Sequence, residues 1–189
     1  MTILDLINKS AIMLNIKEIL NDTSLITISA TNEKDVLDDN FALKRMFEFA
    51  KIVLNEVNSY APKVEEVSYT TVGKTIPRLL LTRLSKVIGV KNEYGYVKYS
   101  VDEDGVYVDE DGRYTVIFNQ YPLTNSVFDE IEIYNDSIKE DLLINGLNSY
   151  YCLATGLLEE FNIYNAHYAE RLSQIKNLKV FAMPCRSWQ

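Results

Sequence analysis

The sequence predicts an α+β fold: a bundle of two to four helices, an antiparallel β-meander inserted mid-chain as a small barrel or sandwich, and an extended C-terminal tail. Three observations carry this. Helical apolar spacing dominates both ends of the chain, β-branched and aromatic residues alternate between about Val64 and Pro122, and paired turn signals punctuate that middle stretch. The expected organisation is a helical core from residues 1–62 and 135–178, an inserted β module over 63–134, and a tail over 179–189.

The first helix is expected from Thr2 to about Leu20, with Leu4, Ile7, Ala11 and Leu14 on one face and Ile3, Ile12 and Ile19 widening it. Asn21-Asp22-Thr23-Ser24 should end it, because their short side chains bond their own backbone. Leu25 to Asp39 reads as a mixed connector. A second helix, about Asp39 to Tyr60, carries one narrow polar stripe of Lys44, Glu48, Lys51, Asn55 and Asn58. So thin a polar face requires cover on several sides. Pro62 stops the helix.

In the middle, strands are expected at Val64–Val72, Val87–Val90, Tyr96–Val101, Val106–Val108 and Tyr114–Tyr121. Gly95, Gly105 and Gly112 stand where hairpins call for a positive φ. The last third returns to helix. Ser137-Ile138-Lys139-Glu140 matches a capping box, and the apolar series from Leu143 to Ile175 keeps helical spacing. Gly146 and Gly156 interrupt it, either to permit close helix approach or to split the element near Gly156.

Composition narrows the function. A net charge of -8 is unsuited to gripping nucleic acid through its phosphates, which takes clustered Lys and Arg, but suits a wall past which DNA slides. The N-terminal stretch lacks a basic region followed by an apolar run, and no window is apolar enough to span a bilayer, so neither a signal peptide nor a membrane partner is expected. Cys152 and Cys185 are expected as reduced thiols of a protein assembled in a cytoplasm.

Patterns of catalysis are incomplete. Val72-Gly73-Lys74-Thr75 holds the Gly-Lys-Thr of a phosphate loop, but Ser68 stands where that motif needs its first Gly and Pro77 follows closely. Asp102-Glu103-Asp104-Gly105 and Asp109-Glu110-Asp111-Gly112 invite a calcium reading, yet strands flank them and the ligand spacing fails. The lone His167 has no second His or Cys pair beside it, and no nucleophile–base pattern includes it. Neither an enzyme nor a cofactor or metal site is expected.

The features left over point to contacts with other molecules. Thirteen tyrosines are an excess, and Tyr150, Tyr151, Tyr164 and Tyr168 on the last helix are candidates for a subunit interface. Strand propensity explains part of the excess in the β region. Trp188, the single tryptophan, stands one residue from the end, beside Arg186 on a segment that Pro184 keeps from helix. Such a tail makes sense docked, either on a partner or back on its own domain.

The order helix, long helix, β insertion, long helix, extended tail resembles the head–tail connector (adaptor, or head-completion) proteins of tailed phages, of podovirus or crAss-like type. Tyr150-Tyr151-Cys152-Leu153, Gly156, Glu159-Glu160 to Tyr168 and Arg171-Leu172 look like that family's closing helix. Met183-Pro184 followed by Arg186 and Trp188 looks like its terminal tail, with Ser187 where a second basic residue often stands. The resemblance implies a virion protein at the portal–tail junction: a homo-oligomeric, twelve-fold ring bound to the portal protein through Met183, Pro184, Arg186 and Trp188. It would also meet tail or further ring proteins, and DNA would pass through its channel during genome ejection. A tail-completion or stopper protein, another accessory virion protein, and a small ligand- or calcium-binding β module are the alternatives.

Overall fold

The computed structural model describes residues 1–22, 28–132 and 138–181, with side chains to Ile175. It has the α+β architecture, with an antiparallel β-rich segment set between helical stretches. Two compact units make up the chain: Met1–Ala61 with Leu123–Gln189, and Pro62–Pro122.

In the helical unit, α1 (Ile3–Leu14) opens on a capping box in which the Thr2 hydroxyl accepts from the Asp5 N–H at 3.1 Å and Asp5 accepts from the Thr2 N–H at 2.9 Å. The single helix expected to Leu20 is instead broken. Asn15 takes the left-handed conformation (φ 51°), which its short polar side chain tolerates, and α2 (Lys17–Leu20) restarts after it. The expected connector contains a further helix, α3 (Glu33–Asp39).

Asn40 caps α4 (Phe41–Tyr60), which begins two residues after the expected start near Asp39. Its carbonyl Oδ1 accepts from the Leu43 N–H at 2.9 Å, while its amide donates to the Glu18 carbonyl and to Asp22 Oδ2. Buried Leu43, Met46, Phe47, Ala50, Val53, Leu54 and Val57 follow at helical spacing and join Ile3, Leu6, Ile7 and Ala11 of α1 in one core. One residue therefore caps α4 and ties it to α2. Asn40→Ala should lower stability by about 2 kcal/mol, as chemical denaturation followed by helical circular dichroism would measure.

The last third forms a helical hairpin, α5 (Glu140–Thr155) and α6 (Leu158–Phe181). Both roles open to the glycines are used. Gly156 adopts φ 79° and ends α5, and Gly146 packs face-on against the ring of Tyr168. Lys139 occupies the N-cap position with no side-chain cap bond, so the helix starts later than the Ser137 box predicts; Ser137 itself lies outside the described residues. Residues 179–181 are helical, against the extended tail expected from Lys179, because nothing before Pro184 interrupts the helix chemistry. Residues 123–132 belong to the helical unit and not to the β module. Ile3 and Leu4 donate to the carbonyls of Asp129 and Val127, Glu33 accepts from Ser126 and Val127, and Val127 is fully buried in the helical core.

The β unit holds β1 (Lys63–Thr70), β2 (Thr75–Pro77), a 3₁₀ turn (Arg78–Leu80), β3 (Leu84–Asn92), β4 (Gly95–Tyr96), β5 (Tyr99–Val101), β6 (Gly105–Val108) and β7 (Arg113–Gln120). They form two antiparallel sheets, β1-β7-β3-β4 and β2-β6-β5. Ile76, Val106 and Val108 of the second sheet share a core with Val87, Val90, Val116 and Phe118 of the first, which is the arrangement of a small sandwich. Hairpins join β3 to β4 and β5 to β6, and the first strand pairs with the last in full register from Lys63↔Gln120 to Thr70↔Arg113. Of the three turn glycines, only Gly95 has positive φ. Gly105 is required for another reason: the Ile76 carbonyl of β2 lies where its Cβ would stand.

Candidate interaction surfaces

Within the helical unit the most concentrated polar arrangement is built on Glu56 of α4. The hydroxyls of Tyr168 (α6) and Tyr150 (α5) both donate to Glu56 Oε2, at 2.9 and 3.1 Å. Burial, then the Glu56 carboxylate, pushes the Tyr168 phenol far above its ordinary pKa; the same causes raise Tyr150. One carboxylate thus holds three helices in register. Phe49 stacks on Tyr150 at 6.2 Å between ring centroids, and Arg171 of α6 meets Asp141 of α5 at 3.2 Å.

This arrangement corrects one interface candidate. Tyr168 is 4% exposed and its hydroxyl is held by Glu56, so it serves the subunit's own core. Tyr150 gives its hydroxyl to Glu56 but stays half-exposed, as do Tyr151 and Tyr164, and Tyr151 lines a cleft with Glu18, Asp22, Phe41 and Arg45. Glu56 itself escaped the sequence reading. Its signal is there: a charged residue set between Val53, Val57 and Tyr60, off the polar stripe of its helix.

Beside the Glu56 node runs a groove of about 280 Å³ between α5 and α6, walled by Leu153, Phe161 and Leu172 with Ser149, Asn165 and Glu56 as polar groups. Around the α5–α6 turn the chain presents Leu153, Leu157, Leu158 and Ile163 to solvent, the last two at 60% and 58%. Ile12 and Met13 of α1 are exposed as well. The tail residues Met183, Pro184, Arg186 and Trp188, with Cys185, lie outside the described residues.

The incomplete motifs have structural roles. Gly73 and Lys74 adopt consecutive left-handed conformations (φ 78° and 63°), which aims their N–H groups at one point. That point is occupied by Asp111, whose carboxylate accepts from the Lys74 N–H at 2.6 Å. These backbone donors lower the Asp111 pKa. The Gly-Lys-Thr segment is thus a genuine anion cradle, and its anion is the protein's own carboxylate. Asp102 accepts from the N–H groups of Asp104 and Gly105, closing its hairpin. Among the described residues, no group of three or more His, Cys, Asp or Glu is placed to hold a metal ion. Thermal denaturation should give the same midpoint with and without millimolar calcium, since only a ligand of the native state raises it.

His167 is exposed on α6, and Cys152 of α5 is buried, with burial raising its thiol pKa. No helix among the described residues is long and apolar enough to cross a membrane. No protein-family model matches the chain, and no curated protein matches it.

Proposed function

We propose that this chain is a structural virion protein, a head–tail connector subunit whose copies form a ring below the portal, extend the DNA channel and provide the platform for the tail. The observation that carries the reading is the concentration of solvent-facing Leu153, Leu157, Leu158 and Ile163 around one helix turn. Large apolar side chains gathered in this way favour cover by another molecule, and a stable contact of that kind takes about 800 Å² from each partner. Exposed Ile12 and Met13 near the end of α1 and half-exposed Tyr151 and Tyr164 add to the surface available to a neighbour.

Two sequence features support the connector role in particular. Arg186 and Trp188, residue types enriched at binding hot spots, suit insertion between portal subunits, and the acidic balance of the chain suits a channel that DNA must traverse without sticking. In this reading the subunit performs no chemistry; it transmits position from portal to tail.

Deleting Pro184 to Gln189 should leave the helical circular dichroism and unfolding midpoint unchanged while loading onto the co-expressed portal falls at least about tenfold, the loss of one anchoring aromatic–Arg cluster. Portal loading unchanged by the deletion would refute the tail's role. Images of the portal vertex would show twelve copies of the chain; six-fold or three-fold order would instead favour a tail-completion protein.

A further inference from the structure

The β unit leaves one long, regular sheet edge open. β1 pairs with β7 in unbroken register on one side and, among the described residues, has no strand on the other. The remaining edges are blunted: β2, β4 and β5 have two or three residues each, and β3 shifts register twice along its length. We propose that β1 is an interaction edge and that its occupant is β1 of a second copy, paired antiparallel across a two-fold axis so that the two sheets run on as one. Such a pair closes on itself, whereas ring neighbours meet head to tail. It is therefore a form of the free subunit and stands apart from the connector reading.

Backbone direction comes first. The Thr71 N–H donates to the Gly112 carbonyl at 2.8 Å and the Tyr121 N–H to the Arg83 carbonyl at 2.7 Å, so the odd-numbered residues of β1 are the ones that bond β7. Val64, Glu66, Ser68 and Thr70 therefore turn their N–H and C=O groups away from β7, and among the described residues none of these groups meets a backbone partner. Their side chains share the exposed face, Val64 at 53%. Unpaired charge commonly keeps such edges apart, but here it is neutralised within the copy. Lys63 meets Glu65 at 2.9 Å, and Glu66 meets Lys91 at 2.9 Å.

Register comes second, and it selects the second copy as occupant. Outward groups must oppose outward groups, so even-numbered residues face even-numbered residues. Two such registers engage nearly the whole strand. The one centred on Glu66 sets that carboxylate against its own counterpart, which like-charge repulsion disfavours. The one centred on Val67 sets Glu66 opposite Ser68, Val64 opposite Thr70 and Glu65 opposite Tyr69, so no like charges meet head-on. At the axis Val67, which packs against the sandwich core, meets the Val67 of the second copy. The strand is thus complementary to itself in one register.

Sedimentation equilibrium of the full chain should show monomer passing to dimer over about 1 to 100 μM, the weak affinity of a strand-sized contact. Ser68→Glu sets like charges opposite each other at both symmetric positions and should weaken the dimer about tenfold. Ser68→Lys sets opposite charges there and should tighten it by about as much. Both lose the 2.9 Å contact between the Ser68 and Thr115 hydroxyls, so the opposite signs report pairing across the axis. Circular dichroism should match the wild type in both. In a Cys185→Ser background, Val67→Cys should cross-link two copies on mild oxidation, because residues opposed at that axis have Cα atoms about 4.5 Å apart. If that variant fails to fold, the charge pair alone decides. A chain monomeric throughout the range overturns the proposal and leaves the edge to an extended segment of another protein. A dimer that ignores the charge at position 68, or that both substitutions weaken alike, overturns it too. So does a folded Val67→Cys dimer that forms no cross-link, and so does a species larger than a dimer, the mark of head-to-tail association.

Discussion

Replacing Gly146 by valine should destabilise the helical unit by about 3 kcal/mol or more, measured as the loss of helical circular dichroism in urea. A Cβ at this position would stand 2.7 Å from Cε2 of the Tyr168 ring and 3.0 Å from Cδ2 and Cζ, closer than packed atoms approach. The ring is almost wholly buried and its hydroxyl is fixed on Glu56, so it has nowhere to yield. Overpacking costs about 1–3 kcal/mol, and dislodging a hydroxyl from a charged acceptor adds about as much. Alanine at Gly146 meets the same clash but gains about 1 kcal/mol of helix propensity, so its net loss should be smaller. In a Tyr168→Leu background the clash is gone and Gly146→Ala should turn stabilising. That reversal of sign separates a packing notch from a merely tolerated glycine.

Glu56→Ala should cost about 3 kcal/mol, because it removes the acceptor of two tyrosyl hydroxyls and leaves the Tyr168 hydroxyl buried without a partner. Glu56→Gln keeps an acceptor and should lose less. The same node predicts an alkaline response. Tyr168 has a folded pKa far above that of an unfolded tyrosine, about 10, so both states hold the proton below that pH and stability is flat with respect to this group. Above about pH 10 the unfolded chain releases its proton while the folded one keeps it. Stability then falls by up to about 1.4 kcal/mol per pH unit from this residue. Tyr168→Phe should remove that part of the slope, read from urea midpoints at successive alkaline pH values. An unchanged slope would mean that Tyr168 does not hold its proton in the fold.

The fold was legible where local chemistry decides it. The polar stripe of α4 located that helix to within two residues, and the turn signals located β6 and β7 to within one, because side-chain periodicity and turn residues act over a few positions; the single strand expected at Tyr96–Val101 instead divides into β4 and β5 of different sheets, and β3 runs beyond the expected Val87–Val90 at both ends. Less legible were features set by distant partners. The break at Asn15 follows from a left-handed residue that helix periodicity does not register, and α3 is held by Val36 in the core and by Glu33 on the 123–132 segment. Pairing of β1 with β7 joins strands too far apart in sequence for any turn to announce. The tyrosines show the same limit: an interface and a core both reward an apolar ring with a polar tip, and only the position of Glu56 decides that Tyr168 faces inward. Glu56, a carboxylate among apolar neighbours, was readable as an anomaly but not as a partner of residues about a hundred positions away.

The zipping of β1 to β7 has a consequence for how such a chain can vary. Lys63 and Gln120 are direct partners, so the polypeptide leaves and re-enters at points about 5 Å apart. Whatever lies between those points presents the rest of the protein with the same closed gap that a tight turn would. The sandwich can therefore lengthen, shrink or be swapped for a short bridge with little entropic penalty to the surrounding helices, since closure is already settled by its own outermost ladder.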